Sequence, residues 1–81
     1  PFNPSTSIPL TVQSQQPVYL AVYNSTGQRV RLLADRPFTP GRHVLQWDAH
    51  DDEGHPVSSG IYLYRLKVDG QVQMRKMTLM R

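Results

Sequence analysis

Apolar side chains fall at every second position in one short stretch after another. No stretch shows helical spacing, so the chain is committed to strands. Ile8, Leu10 and Val12 make the first set, with Pro9 between them. A proline has no N–H to give a ladder, so this strand is expected at a sheet edge. Val18, Leu20 and Val22 alternate with Tyr19, Ala21 and Tyr23, apolar on both faces as a central strand requires. Asn24-Ser25-Thr26-Gly27 is a turn by composition. Gln28 to Ala34 follows, with Val30 and Leu32 on one face and Arg29, Arg31 and Leu33 on the other, so 18–23 and 28–33 are expected to form a hairpin.

Asp35 to Arg42 contains Pro37, Pro40 and Gly41 and reads as a loop, with Phe38 plugging one end of the core. His43, Leu45 and Trp47 alternate in a fourth strand. The pattern is strongest from Ile61 to Val68, where Tyr62, Tyr64, Leu66 and Val68 share one face and Arg65 and Lys67 mark the other as wet. Asp69-Gly70 suits a tight hairpin turn, after which Val72, Met74 and Lys76 open a last strand. The polar stretch from Asp48 to Gly60 breaks the rhythm and has room for one extra short strand near Val57. The fold class that follows is all-β, a small antiparallel β-sandwich of about six to seven strands.

With 81 residues, 38% of them hydrophobic and none cysteine, the chain has material for one small core and no covalent staple. The missing cysteines exclude disulfide frameworks, thiol nucleophiles and zinc ribbons. No apolar run is long enough for a membrane-spanning helix. No export signal opens the chain, and the proline- and serine-rich start reads as a linker remnant over residues 1–6, with the domain at 7–81. Charge is unevenly placed: residues 1 to 28 carry none, while Asp48, Asp51, Asp52 and Glu53 crowd one loop. Arg65, Lys67, Arg75, Lys76 and Arg81 face only Asp69 in the tail. These cations alternate with apolar residues as solvent-facing strand positions do. They do not form the aromatic-laced basic patch of a nucleic-acid binder, so no nucleic-acid partner is expected.

The acidic loop is the one cluster with metal-binding chemistry. Counted from Asp48, an EF-hand pattern fails at His50, Glu53 and Ser59. A looser calcium site from Asp48, Asp51 and Asp52 is the alternative to a solvated turn whose carboxylates cap backbone N–H groups, and the turn is preferred. His43, His50 and His55 lack converging spacing for zinc, and no nucleophile elbow or phosphate-cradling loop is present. No cofactor and no catalytic residue are expected. Exposed aromatics would suit sugar stacking, with Tyr19 and Tyr23, or Tyr62 and Tyr64, on common strand faces, whereas Trp47 is expected in the core.

Several phrases carry a resemblance across the whole chain. Pro1-Phe2-Asn3-Pro4-Ser5-Thr6 opens it, followed by Val18-Tyr19-Leu20-Ala21-Val22-Tyr23, Gly27-Gln28-Arg29-Val30, Gly41-Arg42-His43 and Trp47-Asp48. Gly54-His55-Pro56-Val57-Ser58-Ser59-Gly60-Ile61-Tyr62-Leu63-Tyr64-Arg65-Leu66 and Arg75-Lys76-Met77-Thr78-Leu79-Met80-Arg81 complete it. The set resembles bacterial C-terminal sorting domains of the type IX secretion system. It is also similar to the immunoglobulin-like domain of the flagellar hook-capping protein.

The resemblance implies an immunoglobulin-like sandwich that is not an enzyme. Such a module directs a larger protein (a glycoside hydrolase, protease or adhesin whose domains precede it) across the outer membrane to the cell surface. The implied partner is the outer-membrane secretion machinery, and the implied alternative is a carbohydrate- or protein-binding accessory module. Arg75, Lys76, Met77, Leu79, Met80 and Arg81 would be the segment read. Trp47, Asp48, Gly54, Gly60, Tyr62 and Tyr64 would be the structural motif positions. Where that family reads Trp-Asp-Gly, this chain has Ala49, so a different turn is expected after Asp48.

Overall fold

A computed structural model describes residues 5–81; Pro1 to Pro4 of the opening motif lie outside the described residues. Six strands follow one another: β1 (Thr6–Val12), β2 (Gln16–Asn24), β3 (Arg29–Phe38), β4 (Gly41–Trp47), β5 (Gly60–Val68) and β6 (Gln71–Leu79). All pairings are antiparallel. β1 and β4 make a two-stranded sheet, and β3-β2-β5-β6 a four-stranded one. This is the expected all-β sandwich of immunoglobulin-like type.

The prolines sit where a missing donor costs least. Pro9 lies on β1, which has one partner only. Pro37 lies on β3, an edge strand, directly opposite Pro17. Pro17 in turn precedes the part of β2 that pairs with β5, which begins at Tyr19. This explains one departure from expectation: Asp35 to Phe38 is not a loop but the continuation of β3, because two prolines facing each other ask nothing of each other's ladder. The turn shrinks to Thr39-Pro40, and Phe38 is buried at the core's end with its ring edge-on to His43 at 4.9 Å.

A second departure lies in β3 itself. The β2–β3 register slips between Leu20 and Ala21 and again between Val22 and Tyr23. Each slip gives β3 one residue more than its partner, and each such bulge reverses the alternation. Val30 and Leu33, assigned to opposite faces by simple alternation, therefore both pack against the core. No extra strand forms at Val57. The 48–60 segment makes a single bridge, His50 to Pro56, and Val57 packs against the core as a half-buried residue.

The interior divides into two clusters. One gathers Ile8, Leu10 and Val12 of β1 with Val18 and Leu20 of β2, Ala34, Phe38 and Leu66. The other gathers Val22, Trp47, Ala49, Tyr62 and Leu79, and Tyr64 packs against both. Trp47 meets Tyr62 edge-to-face at 5.2 Å and donates its indole N–H to His50 O at 2.9 Å. The Tyr62 hydroxyl donates to Ser58 O at 2.7 Å, four residues back. This is the tyrosine-corner arrangement of immunoglobulin-like sandwiches. It gives a buried polar tip the partner it must have.

Replacing Tyr62 with Phe removes that donor and leaves the Ser58 carbonyl unpaired. The expected cost is about 1–2 kcal/mol. For a domain of this size that lowers Tm by roughly 5–15 °C, to be read by thermal denaturation of Tyr62→Phe against the parent.

Candidate recognition surface

A four-stranded sheet has two edges, and this one treats them differently. Along β3 the 48–60 loop closes the edge. Asp52 N–H donates to Val30 O at 3.0 Å, and the Leu32 N–H donates to an Asp52 carboxylate oxygen at 2.8 Å. The Arg31 guanidinium donates to the carbonyls of His50 and Asp51 at 3.4 and 3.3 Å. At the other end β6 pairs, among the described residues, on one side only, with β5. A strand in that position offers a row of backbone donors and acceptors that another strand can extend.

The residues expected to be read as one segment divide on this strand. Arg75 and Lys76 are exposed and point to opposite faces, opposite Tyr64 and Leu63 respectively. Met80 is 71% exposed. Met77 is half-buried against the Trp47 cluster, and Leu79 is buried in it. In the folded domain Leu79 is therefore core rather than contact surface.

Arg81 is engaged within the domain. Its guanidinium donates to Val57 O and to Ala49 O, the latter at 2.9 Å, and its N–H donates to Ser59 Oγ at 2.9 Å. It fastens the segment after β6 onto the 48–60 loop. Beside this fastening, Thr6, Trp47, Met77, Leu79 and Met80 line a groove of about 460 Å³.

The acidic residues of the loop are engaged with backbone. Asp48 Oδ1 accepts the His50 N–H at 3.1 Å and lies 3.6 Å from the Arg31 guanidinium. Asp51 Oδ1 accepts the N–H groups of Glu53 and His55, both at 2.9 Å. Those bonds, the one from His55 foremost, hold the Asp51 carboxyl below its ordinary pKa. Asp52 serves Leu32 and lies 3.8 Å from Arg29.

The calcium trio Asp48, Asp51 and Asp52 is thus directed at three different sets of donors. Among the described residues the group whose ligand atoms converge is Asp51, Glu53 and His55 instead. It is an exposed cluster on a turn closed by the Gly54 N–H to Asp51 O at 3.0 Å, with Gly54 at φ +85°. No spacing rule singled out this trio, because Asp51 and His55 come together through the turn's own hydrogen bonds.

Ala49 stands where the resembled family reads glycine. It keeps a positive φ of 63° and is fully buried. Its carbonyl accepts from Val57 N–H at 3.0 Å as well as from Arg81. The turn is left-handed at this residue, a geometry an alanine adopts at a cost of about 1–2 kcal/mol. Gly60 opens β5 opposite Leu79.

Residues 4–71 match the FlgD Ig-like domain family. The chain belongs to that family. The crystal structure of FlgD from P. aeruginosa is similar to it with a TM-score of 0.64 and 20% identity, over 94% of this chain and 61% of that one. At that identity the likeness shows the fold alone, and this chain spans less than two thirds of that structure. No curated protein matches the chain. The FlgD-type sequence match stops at Gln71, where β6 begins. FlgD-type Ig-like domains are structural and non-catalytic.

Two outcomes follow for this FlgD-type domain. Ala49→Val places a β-branched residue at positive φ in a filled site and should lower stability by about 3 kcal/mol or more. Ala49→Gly should leave it within about 1 kcal/mol, because relief of strain is offset by a lost buried methyl and a freer unfolded chain. Urea midpoints distinguish the two. Asp51, whose folded pKa is depressed, stabilises the fold above its unfolded pKa and stops doing so as pH falls through the folded value, so this contribution is lost below about pH 4. Asp51→Asn should be less stable than the parent at pH 7, and the difference should shrink by pH 3.

Proposed function

We propose that this FlgD-type domain is a non-catalytic export module of a larger secreted protein. On this reading a receptor of the outer-membrane secretion machinery takes hold of it by adding a strand to β6, and the domain delivers its parent to the cell surface. One observation carries the reading: among the described residues β6 is the open edge of a sheet whose other edge is closed by the 48–60 loop. An open edge provides main-chain affinity, and exposed side chains along it provide selection. Arg75, Lys76 and Met80 are those side chains, and the groove floored by Trp47 lies beside them. The resemblance of Arg75 to Arg81 to the ending of type IX sorting domains supports the same assignment. Leu79 and Arg81 contribute by holding β6 in register rather than by contact with the receptor.

The test is a reporter fused in front of the domain in a bacterium with a type IX system, with secreted and periplasmic fractions compared. Arg75→Glu combined with Lys76→Glu reverses two exposed charges and leaves the core untouched. Secretion is expected to fall by about tenfold or more, as for loss of charge steering at an interface rim, with Tm unchanged. Removal of residues 74–81 should abolish secretion, but it also removes Leu79 and so is read together with the charge variant. Undiminished secretion of the folded charge-reversed variant overturns the reading.

A further inference from the structure

The outer face of the four-stranded sheet, turned away from β1 and β4, presents three rows across the strands. Asp35, Tyr19, Lys67 and Val72 form the first; Leu32, Ala21, Arg65 and Met74 the second; Arg29, Tyr23, Leu63 and Lys76 the third. Tyr19 and Tyr23 are four residues apart on β2, so their Cα atoms are about 13 Å apart at the rise of a strand. Their hydroxyls nevertheless hydrogen-bond at 3.0 Å. Two phenols meet across that span only by lying along the strand, pointing at each other over Ala21. Ala21 is fully buried although it belongs to the outer face, as a residue roofed by two rings must be. The result is an aromatic strip laid along β2, with both tyrosines partly exposed on the outer face.

The strip has a charged flank. Arg65 and Lys67 on β5 and Lys76 on β6 lie on this face, and among the described residues none of the three is in an ion pair. Arg29 is the exception, occupied by Asp52. Beside Tyr19 a cleft of about 510 Å³ brings together Tyr19, Asp35, Arg65 and Lys67. Its end is closed by Gln16 and Asp69, where the Asp69 N–H donates to Gln16 Oε1 at 2.7 Å and the Gln16 amide donates back to the carboxylate.

We propose that this face binds an acidic polysaccharide, a chain of uronic acids, with sugar rings stacked on Tyr19 and Tyr23 and their carboxylates held by Arg65 and Lys67. Sugar rings present C–H faces that sit on an aromatic plane, and hydroxyls that a carboxylate such as Asp35 accepts from. A guanidinium pairs with a carboxylate through two parallel bonds. Arg65, Lys67 and Lys76 outnumber the Asp35 carboxylate and the Asp69 carboxylate at the cleft's end, and that surplus selects an anionic chain over a neutral one. The proposal does not rest on the export reading: its stacking and carboxylate contacts are on β2 and β5, and Lys76 of β6 is the one residue the two share.

The test is calorimetric titration of the 81-residue chain with tetragalacturonate, with maltotetraose as the neutral comparison and short polyglutamate as a polyanion without rings. Tetragalacturonate is expected to bind, and the other two to bind at least about tenfold more weakly. Tyr19→Ala and Lys67→Ala should each weaken tetragalacturonate binding by about tenfold or more, as for loss of a central anchor. Lys67 is exposed, so its variant remains informative if Tyr19→Ala unfolds. Absence of tetragalacturonate binding overturns the proposal. So does equal affinity for maltotetraose or for polyglutamate, or indifference to Lys67→Ala in a folded chain.

Discussion

The indole of Trp47 is where two unequal sheets become one body. It stands at the last residue of β4, in the two-stranded sheet, and its ring packs against Tyr62 near the start of β5 in the four-stranded one. Its N–H, otherwise a buried donor without a partner, is met by His50 O, three residues on. An immunoglobulin-like domain with cysteines places a disulfide beside such a tryptophan. This chain has none and relies on the fit of Trp47, Ala49, Tyr62 and Leu79. A tryptophan-sized void costs about 3–5 kcal/mol, a large share of the roughly 5–15 kcal/mol that holds a small domain folded.

The same point of attachment determines what the 48–60 loop does. Leaving Trp47, the chain turns at once through the left-handed Ala49, which sends it across to β3 instead of into another strand. There its carboxylates accept backbone N–H groups from the loop itself and from Leu32. A carboxylate that already satisfies two N–H groups, as Asp51 does, has less to offer a cation. The loop is polar in sequence because it closes a sheet edge and solvates its own turn. Arg81, reaching back to Ala49 and Val57, fastens it from the other side.

Period-two alternation made the strands legible: five of the six expected segments coincide with β1, β2, β4, β5 and β6. Pro9 correctly marked an edge, and Trp47 the core. What alternation could not carry was β3. Bulges at Val30 and Leu33 flip the pattern twice, and the proline opposite Pro37 is far away in sequence, so a strand looked like a strand followed by a loop. The recognition segment was legible as composition only. Its division into exposed Arg75, Lys76 and Met80, buried Leu79 and tethered Arg81 depends on which neighbours the tail meets. The Tyr19–Tyr23 contact was visible as a shared face. That the two side chains extend toward each other along the strand follows only from the hydroxyl distance.

The open edge and the aromatic strip share one sheet without competing. A strand added to β6 lies in the plane of the sheet and engages main-chain groups, so it lengthens the outer face by one strand and leaves its surface uncovered. β2 is two strands from β6, with β5 between them, about 10 Å at the spacing of hydrogen-bonded strands. Tyr19 and Tyr23 therefore stay accessible while the edge is held. Lys76 is the residue common to both, lying on the open strand and on the outer face at once. Its charge discourages two copies from joining edge to edge, which keeps β6 available to a partner of different chemistry.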